Sequence, residues 1–143
     1  MAIIFRYAPM PREDGLLVKA PCVRIHERGN DGKCVEITAL VDSGADSVVI
    51  PKDLAELLGL KLGDETETGG IGGKTKARKT QFSFILRKGR ESYPLTMPAL
   101  VLTDESIDIP LILGRNGFFE HFDITFKQAE GKIVLKKVTA QAY

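Results

Sequence analysis

The chain has 143 residues, 43% of them hydrophobic and 27% charged, with 20 Lys and Arg set against 19 Asp and Glu for a formal net charge of +1. That length fits one domain, the composition excludes an intrinsically disordered chain, and the near-neutral balance disfavours a nucleic-acid partner held through phosphate contacts. No apolar run approaches the about 20 residues that span a bilayer, so no membrane partner is expected. The start is apolar only as far as Phe5 and is broken at Arg6, too short for a signal peptide and without a basic segment ahead of it. With two cysteines in all, this predicts a cytoplasmic protein that does not depend on disulfides.

Residues 1–15 read as an N-terminal arm or an edge strand, apolar and then proline-rich (Pro9, Pro11), ahead of a single domain over residues 16–143. Leu16 to Arg28 is apolar with interruptions, Gly29-Asn30-Asp31-Gly32 supplies a turn, and Lys33 to Val41 reads as a second strand, so the two predict a hairpin. Cys22 and Cys34 fall on this hairpin but not opposite each other, and are expected as small buried or half-buried thiols. Val48-Val49-Ile50 is a short β-branched run. Pro51 opens a helix that Gly59 stops after Leu58, with Leu54, Leu57 and Leu58 spaced as one buried stripe. Gln81 to Leu86 and Tyr93 to Leu102 read as strands around a turn at Lys88-Gly89, and Pro110 to Leu113 is a further apolar run. Asn116 to His121 reads as one or two helical turns. Phe122 to Lys127 and Lys132 to Val138 form a last hairpin across Glu130-Gly131. Many short strands, frequent turns and two short helices predict a mostly-β barrel or sandwich.

Three segments carry chemistry. In Ala39–Ile50, ALVDSGADSVVI, an apolar strand delivers Asp42 to a tight turn. Gly44 permits close backbone approach there, its amide can bond a carboxylate, and Ser43 can bond across the turn. A calcium loop starting at Asp42 is excluded: Gly44, Ser47 and Asp53 occupy positions that need an Asp or Asn, a Gly and a Glu. The second segment, Thr68-Gly69-Gly70-Ile71-Gly72-Gly73-Lys74-Thr75, ends like a phosphate-binding loop. However, Thr68 stands where the first glycine belongs, and no apolar strand precedes it. A glycine-rich hairpin tip able to move over a cleft, with Ile71 as its apolar contact, fits better than a nucleotide site; an exposed loop is the plainer reading. The third is Pro110–Phe119, PLILGRNGFF, an apolar strand entering a glycine turn, where Arg115 is the one nearby charge. A buried Arg115 would have to pair with a carboxylate, and Asp46 is the candidate. His26 and His121 show no spacing to acids or cysteines that reads as a metal site, and neither metal nor cofactor is expected.

Taken together and in this order, ALVDSGAD, GGIGG and PLILGRNGF make the chain resemble the retropepsin-like aspartic proteases, the family of retroviral proteases and their cellular relatives. The resemblance covers about Val35 to Val138; Ser43 stands where many relatives have Thr. It implies a single-lobe closed β-barrel and peptide hydrolysis by two aspartates around one water, with one proton shared between the two carboxylates. The chain has one Asp-Ser-Gly, so the resemblance implies a homodimer about a twofold axis between two Asp42 residues. It also implies that Ser43 braces the partner loop and that Gly44 and Asp46 bond the backbone of an extended peptide or unfolded protein. Gly69, Gly70, Ile71, Gly72 and Gly73 would close as a flap, Ile112 would line a side-chain pocket, and Arg115 would brace Asp46 and the dimer. A non-catalytic peptide-binding or scaffold module of the same fold remains the alternative, as does a β-rich interaction domain with a chance Asp-Ser-Gly.

Overall fold

A computed structural model describes residues 2–12, 14–70 and 72–139. In chain order the strands are β1 (Ala2–Arg6), β2 (Ala8–Pro11), β3 (Leu17–Ala20), β4 (Cys22–Arg28), β5 (Cys34–Val41) and β6 (Val49–Ile50). An α-helix, α1 (Lys52–Leu58), follows. Then come β7 (Glu65–Gly70), β8 (Gly73–Lys88), β9 (Glu91–Leu102), β10 (Leu111–Leu113), β11 (Phe122–Lys127) and β12 (Lys132–Lys137), with a 3-10 turn at Gln128–Glu130 between the last two.

The sheet runs β4-β5-β10-β6-β9-β8-β7, and β8 returns to pair with β4 at Ile25↔Leu86 and His26↔Ile85. Six strands therefore form a closed barrel, and β7 stands outside the ring. Closure removes the edges that a flat sheet of this size would leave unpaired. The period-2 pattern does the rest: Phe82, Phe84 and Leu86 on β8 and Leu95, Met97, Ala99 and Val101 on β9 are buried in alternation, with Phe82 opposite Met97 and Phe84 opposite Leu95. Val23, Ile25, Ala39, Val41, Leu111 and Leu113 fill the barrel from its other side.

A second sheet, β1-β12-β11, packs on the barrel through Ile3, Phe5, Ile133 and Leu135. Its bridge is aromatic: Phe122 lies 5.4 Å from Phe118, which lies 6.5 Å from Phe84, which lies 4.9 Å from Phe82. The first residues, read from sequence as an arm or edge strand, pair with the last strand, Ala2 opposite Lys136 and Phe5 opposite Ile133.

Several elements differ from the sequence reading. Leu16 to Arg28 is not one strand. It breaks at Pro21, and Leu17–Ala20 pairs with Ala8–Pro11 in a separate two-stranded sheet. Asn116 to His121 is not helical: Gly117 adopts φ 102°, outside helical space, and Asn116 bridges Ser47 instead. In α1, Pro51 is the N-cap rather than the first helical residue, and Gly59 stops the helix at φ 65°. Leu57 is 51% exposed, so the buried stripe is formed by Ala55 and Leu58 with Leu54 at its margin. Of the two thiols, Cys22 is buried but Cys34 is exposed, because Arg28↔Cys34 is the last pair of its hairpin, next to the turn.

Candidate active site

The site is built on a parallel pairing between segments 72 residues apart. β10 lies between β5 and β6, with Leu111 beside Ala39, Ile112 beside Leu40 and Leu113 beside Val41. At the ends of this pair the two loops grip each other. The Asp42 amide donates to the Leu113 carbonyl (3.1 Å), the Arg115 amide to the Ala45 carbonyl (2.9 Å) and the Asn116 amide to the Asp46 carbonyl (2.7 Å). Gly114 is required where the loops cross. A Cβ there would run into the carbonyl oxygen of Ser47 and lie 2.8 Å from that of Ala45.

Asp42 is half-buried at the mouth of the barrel. The Gly44 amide donates to its Oδ1 at 2.9 Å, as the turn chemistry predicts, and the Ala45 amide donates to its carbonyl at 3.2 Å. Fixed at its backbone and at one oxygen, the carboxylate keeps its other oxygen for a second partner. Ser43 and Gly44 are exposed beside it, and among the described residues the Ser43 hydroxyl makes no hydrogen bond. The predicted partnership of Arg115 and Asp46 forms, Nη2 donating to Oδ1. It does not form as a buried pair: the two side chains are 58% and 76% exposed. A pair so wet adds under about 1 kcal/mol, and the backbone bonds hold the loops.

Ile112 sits half-buried on the face opposite to Leu111 and Leu113, flush with Leu40 and Val49 across the strands, so these three make an apolar floor next to Asp42. The glycine-rich tip belongs to the β7–β8 hairpin, closed by Gly69↔Lys74 and Gly70↔Gly73. Gly69 needs its lack of a side chain because the Gly73 carbonyl occupies that space. Gly72 and Gly73 are exposed; Ile71 lies outside the described residues.

Three neighbours of Asp42 escape any reading of motifs. Tyr7, Phe126 and Gln128 join Asp42, Ser43 and Leu40 around a cavity of about 330 Å³. The Tyr7 hydroxyl is buried and has no partner among the described residues. Tyr7 arrives there because its amide donates to the Gly131 carbonyl at 2.7 Å, a contact spanning nearly the whole chain, and no local signal marks it. Cross-strand from Leu40, burial pushes the Cys22 thiol up to about 11, so it stays protonated and unreactive at neutral pH. No group of three or more potential metal ligands occurs among the described residues, nor does a helix long and apolar enough to cross a membrane.

A closed single-lobe barrel that presents one such carboxylate where two loops interlock defines the retropepsin-like class. Residues 24–116 match the family model for aspartyl proteases, and the chain belongs to that family. A retropepsin-like aspartic protease from Rickettsia conorii, known from a crystal structure, shares the fold with a TM-score of 0.56 at 19% identity, over 94% of this chain and 90% of that one. EIAV protease in complex with the inhibitor HBY-793 is 28% identical over 68% of this chain and 83% of that one, with a TM-score of 0.44. No curated protein matches the chain.

Proposed function

We propose that the protein is an aspartic endopeptidase that cleaves extended peptides or unfolded protein, and that it works as a homodimer. The observation that carries this reading is the half-buried Asp42 carboxylate, bonded at one oxygen by Gly44 and open at the other, beside an apolar floor. One chain brings one such group. A second copy related by a twofold axis brings the other, and neighbouring carboxylates then hold a single proton between them. One accepts a proton from the water that attacks the scissile carbonyl, and the other donates to the carbonyl oxygen. The tetrahedral intermediate then collapses, the C–N bond breaks and the amine leaves with a proton from the pair.

The remaining site residues take supporting parts. Ser43 braces the partner's loop, and the Gly44 backbone with Asp46 bonds the peptide backbone, which lies in the cleft as an added strand. Gly69 to Gly73, Ile71 included, form a flap that closes over it, and Ile112 lines a side-chain pocket. Arg115 holds Asp46 in place and becomes desolvated against the second subunit. We place the protein in the cytoplasm, in keeping with an exposed, unpaired Cys34.

The test is Asp42→Asn, assayed on reduced and alkylated casein, with circular dichroism and sedimentation in parallel. The expected result is a loss of about a thousandfold in cleavage with the fold and dimer retained. Undiminished cleavage by Asp42→Asn, or full wild-type activity from a strictly monomeric species, overturns the proposal.

A further inference from the structure

We propose that the cleft extends past Ile112 into a subsite that takes a lysine or arginine of the substrate, walled by the β2–β3 hairpin and the segment leading into β10. This rests on the peptidase reading above. A cavity of about 950 Å³ opens between Met10, Pro11 and Arg12 on one side and Asp108, Ile109 and Pro110 on the other. Both walls are continuous with strands that form or flank the floor. The hairpin leaves the barrel at Pro21, whose carbonyl accepts from the Val41 amide at 2.9 Å, and Cys22 stands opposite Leu40. The other wall enters β10 two residues before Ile112, and strand alternation puts Pro110 on the Ile112 side. From Asp42 to Leu40 and from Ile112 to Pro110 makes four strand steps, about 13 Å, or three to four residues of an extended peptide.

The chemistry of the walls selects the occupant. Met10, Pro11, Ile109 and Pro110 offer an apolar sleeve. Arg12 is already held by Asp14 at 3.1 Å, whereas Asp108 has no ion-pair partner among the described residues. Asp108 also borders a neighbouring cavity of about 270 Å³ whose rim carries Asp53, Glu56 and Glu105; its Lys52 is taken by Glu105 at 2.9 Å. An aliphatic stem ending in a cation satisfies both sleeve and carboxylate, and an acidic side chain is repelled.

The probe is a set of unstructured dodecapeptides with mixed aliphatic and aromatic residues at the centre. They differ only at the third and fourth residues on either side, which are lysine, norleucine or glutamate. With wild-type protein the lysine set is expected to be cleaved with about three- to fivefold higher kcat/KM than the norleucine set, as for an ion pair open to solvent, and the glutamate set more slowly still. The preference shrinks in about 1 M salt. In Asp108→Asn the lysine-to-norleucine ratio falls to about one. Binding of the same sets to Asp42→Asn, read by fluorescence anisotropy, follows the same order without needing turnover. Binding without preference, or a preference that survives Asp108→Asn, overturns the subsite and leaves the peptidase reading intact. An absence of both binding and cleavage overturns both. A shift of the monomer–dimer equilibrium by Asp108→Asn in place of the peptide ratio shows that a second copy, not substrate, occupies the cavity.

Discussion

Replacing Gly114 by alanine adds one methyl group at the crossing of the two site loops, and its consequence follows from distances. The new Cβ would overlap the Ser47 carbonyl oxygen, lie 2.7 Å from the carbonyl carbon of Ser47 and 2.8 Å from the Ala45 oxygen, where ordinary contact begins at 3.4 Å. All three obstacles are backbone, so no rotamer change relieves them. The loops must part by about 1 Å, which stretches the Arg115 amide to Ala45 carbonyl bond of 2.9 Å and the Asn116 amide to Asp46 carbonyl bond of 2.7 Å beyond useful length. Losing two such bonds together with the strain of overpacking costs about 2–4 kcal/mol. For a domain of this size that lowers Tm by about 6–12 °C. The same substitution at Gly72 is the control: nothing lies within 4 Å of a Cβ there, and a change under about 0.5 kcal/mol is expected. Both variants and the wild type would be melted by circular dichroism at one protein concentration, since dimerisation makes Tm depend on concentration. If Gly114→Ala melts with the wild type, or if the two alanine variants fall equally, the account of interlocked loops is wrong.

Arg115→Ala separates the pair with Asp46 from the backbone grip. Because both side chains are more than half exposed in one chain, the melting of monomer is expected to move by less than about 1 kcal/mol, while the dimer dissociation constant measured by sedimentation rises severalfold; a large loss of monomer stability would contradict this. His121 supplies a pH dependence. Burial first, and then the nearby Lys137 charge, lower its pKa below 6.5, partly offset by Glu120. Above pH 6.5 the imidazole is neutral in both states and costs nothing. As pH falls from 6.5 through the folded-state pKa, the unfolded chain takes up the proton more readily and stability is lost. His121→Gln is therefore expected to flatten the acid-side decline in urea-denaturation stability, and an unchanged slope would refute the assignment.

Much of the molecule is legible locally. Asp42, Gly44, Gly114 and Arg115 announce themselves because turn geometry and close backbone approach restrict which residues work. Strands β8, β9, β11 and β12 show because burial on one face imposes period 2. The errors fall where a residue's environment comes from far along the chain. Asn116 to His121 has helix-compatible residues, yet Asn116 is bridged to Ser47 and Gly117 sits against Met97. Leu57 has helical spacing, but the barrel surface beneath α1 reaches only Leu54, Ala55 and Leu58.

What the amino-acid order determined by itself is the set of turns, the alternation that makes barrel strands, and the delivery of Asp42 by an apolar strand to a glycine turn. Local stereochemistry and the burial of every second side chain are enough for those. Which strands become neighbours was decided only in three dimensions. The insertion of β10 between β5 and β6, the return of β8 to β4, the docking of β1 on β12, and the placing of Tyr7 beside Asp42 all join segments far apart in the chain. Their free energy lies in shared burial and inter-strand hydrogen bonds, and no window of neighbouring residues records which partner provides them.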